Sequence, residues 1–328
     1  AVAFIGLGAT AYSSALMMVF LFDLEILTSL LFTIPLSILG SAVILPSIDD
    51  VEKDRREFMI YESTFSDILG IISFYAVLSM AESNGNGNVT GAVLGNLALT
   101  IIFSVLISYI LIYVFQNIKG HVKLFLLIAV LLLLYAIGKM FHLSSLIIIL
   151  IFGVMLNNYK VFFKGGLFRL LNEERVAAVL EDMKIVTAET AFLVRTFFFI
   201  IFGWSVYIGS LLSYKVIGIG ILILFIIYFV RAIVLFLFSG KKIILELFLA
   251  PRGLVTILLF FAIPSELSLG GEFQGVLLFV ILISCLIMTW SLISYKKEIP
   301  QAEAIEEEGF NNLDSDLVVE KENEEEYE

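Results

Sequence analysis

The sequence predicts an all-α polytopic membrane protein with about ten transmembrane helices, and three observations carry that prediction. The first is composition: of 328 residues, 60% are apolar and 16% charged, where soluble domains run nearer ~45–50% and ~25%. The second is the recurrence of apolar runs long enough to cross a bilayer, in which only helices satisfy their own backbone. The third is the placement of basic residues, which divides alternate loops into two classes. A soluble enzyme, a disulfide-rich secreted module and a nucleic-acid binder are excluded on composition alone. The single cysteine, Cys285, has no partner for a disulfide.

Ten runs set the expected spans: 2–22, 26–46, 57–82, 90–116, 122–138, 142–158, 187–212, 216–239, 243–264 and 272–295. The first follows Ala1 with no basic residue ahead of it, unlike a signal peptide, and reads as the start of an N-terminally incomplete chain. The second, LLFTIPLSILGSAVILPS, carries Pro35, Gly40, Ser41 and Pro46; the ninth, LELFLAPRGLVTILLFFAIP, carries Pro251, Arg252, Gly253 and Pro264. Both read as broken helices, the best sequence pointer to a midplane site in a secondary transporter, although plain proline kinks leave the same pattern. Residues 159–186, between the sixth and seventh runs, include NEERVAAVLEDMK. There Val176, Val179, Leu180 and Met183 recur at helical spacing, as in an amphipathic surface connector.

Fifteen Lys and Arg, from Lys53 to Lys321, fall in one set of alternate loops; only Lys139 and Lys215 fall in the other. The bias places both ends of the chain in the cytoplasm, as expected of a bacterial-type cytoplasmic membrane protein. Residues 298–328 hold thirteen acids against Lys321, a charge of −12, so the chain's −11 belongs to this tail and residues 1–297 sum to +1. The expected organisation is a transmembrane domain over 1–297 followed by an acidic disordered cytoplasmic tail.

The three remaining basic residues, Arg195, Arg231 and Arg252, lie inside apolar spans. Each costs roughly 2.5–3.5 kcal/mol on insertion scales, so each should face the bundle interior and find a partner. Intramembrane acids are as scarce: Glu62, Asp67 and Glu189, with Glu246 nearer a span end. Glu62 and Asp67 share the third span, in YESTFSDILGII, and a spacing of five sets them ~140° apart on a helix. They therefore serve different ends, one as an ion-pair member and the other as a binding group. Asp67 lies ~15 Å into the span, near the midplane. A carboxyl group there needs a cation when ionised and a proton when neutral, and these two ligands exclude one another. Ser63, Thr64 and Ser66 are the nearby hydroxyls that would complete an oxygen shell for Na⁺ or K⁺ around Asp67.

Taken together, these residues resemble the monovalent cation:proton antiporter superfamily, the sodium/proton exchangers. Glu62-Ser63-Thr64-Phe65-Ser66-Asp67 is similar to that family's E-S-x-x-N-D signature except at Ser66. Val230-Arg231-Ala232-Ile233-Val234-Leu235 resembles its A-R-x-x-x-V element, and Arg252-Gly253-Leu254-Val255 its R-G-A-[IV] element. Gly153 and Asn157 resemble the G-x-x-x-N end of another family helix, whereas Gly40-Ser41-Ala42 stands where many members carry T-D-P. The resemblance implies a thirteen-helix inverted-repeat fold with two broken crossing helices, of which about ten helices are present here. It also implies that Asp67 carries cation and proton alternately, that Glu62 pairs with Arg231, and that Arg252 sits at the second break. A homodimer and electroneutral exchange of Na⁺ or K⁺ for H⁺ are implied in the same way. The chain is then no enzyme and needs no cofactor; its partners are the ion, the proton and the lipid bilayer, with no nucleic acid. Ser66, the altered first break and the tail leave open a second reading: a non-transporting membrane sensor on the same fold that signals through residues 298–328.

Overall fold

In a computed structural model, the structure describes residues 1–49, 51–82, 89–116, 123–140, 145–163, 173–205, 208–211, 213–239, 243–267, 269 and 273–295. The tail at 298–328 and residues 164–172 of the connector lie outside the described residues.

The chain folds into helices throughout the described residues. In order they are α1 (Val2–Phe22), α2 (Ile26–Ser37), α3 (Ser41–Ile44) with a 3₁₀ turn at Leu45–Ser47, α4 (Lys53–Glu82), α5 (Val89–Gln116), α6 (Lys123–Met140) and α7 (Ser145–Asn157). There follow α8 (Tyr159–Phe162), α9 (Glu173–Ser205), α10 (Ile208–Leu211), α11 (Tyr214–Ser239), α12 (Ile244–Phe248) and α13 (Leu254–Phe261). The last, α14, spans Phe273–Tyr295. Among the described residues, six segments are long and apolar enough to cross a membrane, three shorter apolar helices lie at 98–114, 128–140 and 145–157, and the interrupted α12–α13 pair occupies the run expected at 243–264. Each of the ten expected runs thus has a helical counterpart.

One element differs from its expected form. The amphipathic segment after residue 172 is not a separate surface helix; it continues without a break into the seventh span as α9, 33 residues long. The reason is local, since no Gly or Pro interrupts the sequence from Glu173 until Gly203. Val176, at the start of α9, is buried in an apolar cluster with Ile112, Leu134, Phe152 and Leu156 from α5, α6 and α7.

The two interrupted helices lie at the centre. Helix α1 packs on α2 and α11, while α2 packs on α4 and α13. A second apolar cluster joins Phe32 and Leu36 of α2, Ile227 of α11, Ile257 and Phe260 of α13, and Val276 and Leu277 of α14. Pro35 does not mark the break. It sits inside α2, and the non-helical backbone comes three residues later, at Ile38–Gly40. The second break runs from Leu249 to Gly253, where Pro251 lies inside the non-helical segment. Pro264 follows the end of α13, as a helix stop should.

Candidate functional site

The two breaks cross each other backbone to backbone. The Gly40 amide donates to the Pro251 carbonyl at 2.8 Å, and a Cβ on Gly40 would stand 2.9 Å from the Gly253 nitrogen and 3.0 Å from its Cα. Only a residue without a side chain permits that approach from either side, because a Cβ on Gly253 would likewise meet the Gly40 Cα at 3.1 Å. Polar groups released by the crossing are then satisfied by side chains. Leu39 donates its amide to Ser66 Oγ at 3.0 Å, and Arg252 Nη1 donates to the Ile38 carbonyl at 3.1 Å. The Arg252 amide donates to Ser284 Oγ at 3.0 Å.

Asp67 is the fifteenth of thirty residues in α4, hence at its centre. Ser41, the first residue of α3 after the break, donates its hydroxyl to Asp67 Oδ2. The other carboxylate oxygen, Oδ1, is buried and has no hydrogen-bond partner among the described residues. Of the hydroxyls expected to surround this acid, the structure brings a different set. Ser63 is fully buried and donates to the Ile60 carbonyl at 3.3 Å, Ser66 is engaged with Leu39, and Thr64 is exposed. Ser41 is the hydroxyl at the carboxylate.

Glu62 lies on the opposite side of α4, as their 140° separation requires. It is buried, and its two oxygens accept from Arg231 Nη1 at 2.8 Å and Nη2 at 2.9 Å. Arg231 also donates from Nε and Nη2 to the Glu246 carbonyl, at 3.0 and 2.8 Å. A five-residue helix such as α12 leaves its last carbonyls without helical donors, so the guanidinium caps α12 while it neutralises Glu62. A cavity of about 20 Å³ borders Glu62, Ser66, Arg231 and Arg252, room for about one water; Asp67 does not line it.

A membrane helix with a central carboxyl group, lying against two broken helices that cross at paired glycines, is the arrangement that antiporter-like sequence motifs lead one to expect. The sequence pattern described as "Sodium/hydrogen exchanger, transmembrane" matches residues 1–295. The chain belongs to the sodium/hydrogen exchanger family. It is accordingly an integral membrane transport protein of the cation/proton antiport class and not an enzyme. Its fold is similar to that of the sodium proton antiporter MjNhaP1 from Methanocaldococcus jannaschii at pH 8, with a TM-score of 0.66 and 18% identity over 89% of this chain and 76% of that one. No curated protein sequence matches it.

Four features escape the reading of the sequence. Glu246, placed by the sequence nearer a span end, is buried, and its Oε1 lies 3.2 Å from Arg55 Nη1 at the start of α4. Glu189, counted from the sequence among the intramembrane acids, is exposed on α9; α9 faces few neighbours over much of this span, with Phe192 and Leu193 also exposed. Arg195 donates through Nη1 to the carbonyl of Ala42, the residue after Ser41. The Ser41 contact joins residues 26 apart, and no spacing within α4 announces it; the only sequence sign was the Gly40-Ser41 break itself.

Proposed function

We propose that this chain exchanges Na⁺ or K⁺ for H⁺ by alternate binding at Asp67, with one carboxyl group per transport site and electroneutral stoichiometry. The single observation that carries the reading is the incomplete coordination of Asp67: Ser41 serves one oxygen, and the other is buried without a partner among the described residues. A buried, unserved carboxylate oxygen is costly unless a proton or a cation completes it. Both ligands need the same oxygen, so one leaves when the other arrives. Asp67 Oδ2 and Oδ1 and the Ser41 hydroxyl oxygen would hold the cation, with backbone carbonyls of the break completing the shell. Ser63, Ser66 and Thr64 belong to the surrounding helix wall. Glu62 and Arg231 brace α4 against α11 and α12, and Arg252, Gly40 and Gly253 maintain the crossing.

The transmembrane body at 1–297 works in this reading as a homodimer in a cytoplasmic membrane, with the acidic segment at 298–328 on the cytoplasmic side. The test is Asp67→Asn in proteoliposomes carrying an imposed pH gradient. The amide cannot take up a proton or balance a cation, so Na⁺- and K⁺-dependent dissipation of the gradient is lost while the protein stays folded. Persistent cation-dependent proton movement in Asp67→Asn rejects the carrier assignment, and its absence from the wild-type protein rejects antiport in favour of the sensor reading.

A further inference from the structure

Arg195 is the intramembrane cation that the exchange chemistry leaves unused. Its neighbours Phe192, Leu193, Val194 and Phe197 are exposed along α9, whereas Arg195 itself is partly buried and its Nη1 donates to the Ala42 carbonyl. That carbonyl is free for a reason written in the sequence. A helical carbonyl accepts from the amide four residues on, and for Ala42 the fourth residue is Pro46, which has no N–H. Other groups of the turn find partners within it: Val43 and Ile44 donate to the Gly40 carbonyl at 2.9 and 3.0 Å, Leu45 donates to the Ser41 carbonyl, and Ser47 Oγ donates to the Val43 carbonyl at 2.8 Å. An orphaned carbonyl and an orphaned guanidinium thus satisfy each other at membrane depth, where neither is tolerated alone.

Helix α9 otherwise meets this part of the molecule through apolar side chains. Phe198, Phe199 and Phe202 pack on the cluster that contains Phe32 and Phe260, and such contacts are non-directional. A hydrogen bond is directional, so the one from Arg195 holds α3 at a particular height along α9. We propose that Arg195 is a positioning residue for the Asp67 site, supplying the donor that Pro46 withholds and thereby holding Ser41 against the carboxyl group; this rests on the reading of Asp67 as the ion carrier. The contact is made in this conformation and has to be released whenever α3 shifts relative to α9.

The full chain in nanodiscs and proteoliposomes tests this with Arg195→Met, Arg195→Lys, and Arg195→Met combined with Pro46→Ala. Hydrogen exchange followed by mass spectrometry reads amide protection over residues 38–47. Arg195→Met is expected to lower protection at Val43, Ile44 and Leu45 and to raise the half-saturating Na⁺ or K⁺ concentration about tenfold, with less than about a twofold change in maximal rate. Arg195→Lys retains a donor and recovers part of both. Pro46→Ala gives Ala42 an amide partner within its own helix and restores both in the Arg195→Met background. Unchanged protection in Arg195→Met, or failure of Pro46→Ala to restore it, overturns the proposal. So does altered protection with an unmoved half-saturation, which leaves Arg195 as a structural anchor only. Amide protection does not depend on transport, so a wild-type protein without ion flux refutes the antiport reading while the protection arms still decide whether Arg195 holds α3.

Discussion

Replacing Glu62 by Gln keeps the side-chain volume and removes one charge, which isolates the electrostatics of the buried pair from any cavity effect. In the wild-type protein Arg231 makes two charge-assisted bonds to Glu62 and two to the Glu246 carbonyl, all between 2.8 and 3.0 Å, with both side chains under a tenth exposed. Glutamine at position 62 presents one carbonyl oxygen and one NH₂, so one of the two bonds to the guanidinium becomes a donor facing a donor. The positive charge is then left with only carbonyl dipoles for company. Breaking a buried pair from one side costs roughly 3–5 kcal/mol. For a chain somewhat larger than ~250 residues, the lower bound of about 2 °C per kcal/mol applies, giving a fall in melting temperature of about 6–10 °C. Thermal unfolding of the detergent-solubilised full chain, followed by tryptophan fluorescence, measures it. Arg231→Met should cost at least as much, because it strands both the Glu62 carboxylate and the Glu246 carbonyl. The double variant Glu62→Gln/Arg231→Met removes both charges, so its loss should fall short of the sum of the single losses by about 2 kcal/mol or more. A melting temperature for Glu62→Gln within the scatter of wild type, or additive losses in the double variant, would refute the view that this pair braces the helices.

Gly40→Ala is expected to destabilise the fold by roughly 1–3 kcal/mol and to impair transport, because its Cβ meets backbone atoms of Gly253 and Arg252 that have no rotamer by which to yield; Gly8→Ala in α1, with nothing within 4 Å of the added carbon, serves as the neutral control in the same melting assay. The proposed competition at Asp67 predicts a pH dependence as well. Lowering the pH fills the carboxyl group with protons, so the half-saturating cation concentration should climb toward roughly tenfold per pH unit on the acid side. A half-saturation flat across roughly three pH units in proteoliposomes contradicts a shared site.

The ten spans and both interruptions are legible in the sequence because bilayer thickness sets helix length and because Pro and Gly punctuate helices. The opposed placement of Glu62 and Asp67 is legible too, since helical geometry alone separates positions five apart. Elsewhere the sequence points to the right region and misses the atom. Pro35 marks the second span as interrupted, yet the non-helical backbone falls at 38–40, where Gly40 must clear Gly253; the position of the break is set by the crossing, a contact between residues more than 200 apart. Ser63 and Thr64 lie closer to Asp67 in sequence than Ser41, but a hydroxyl on the same helix tends to turn to that helix's own carbonyls, as Ser63 does with Ile60. Glu246 matters through its backbone, which no residue-type argument finds. Pro46 did carry a readable signal: a proline four residues after Ala42 announces an orphaned carbonyl, and Arg195 was a charge in need of a partner.

The two acids of α4 also divide two tasks along a single helix. Glu62 has both oxygens answered by Arg231, so a solute approaching it finds no free acceptor. Asp67, five residues on, has one oxygen answered by a neutral hydroxyl and the other by nothing among the described residues. A fully paired carboxylate makes a poor carrier because any ligand must first displace a guanidinium. A half-served one needs only to lose one light partner or accept another. Exchanging the two environments, by giving Asp67 a permanent cationic neighbour through Ser41→Arg, should therefore abolish cation-dependent proton movement without the pH-dependent recovery that competition allows; retention of transport in that variant would mean the carrier lies elsewhere.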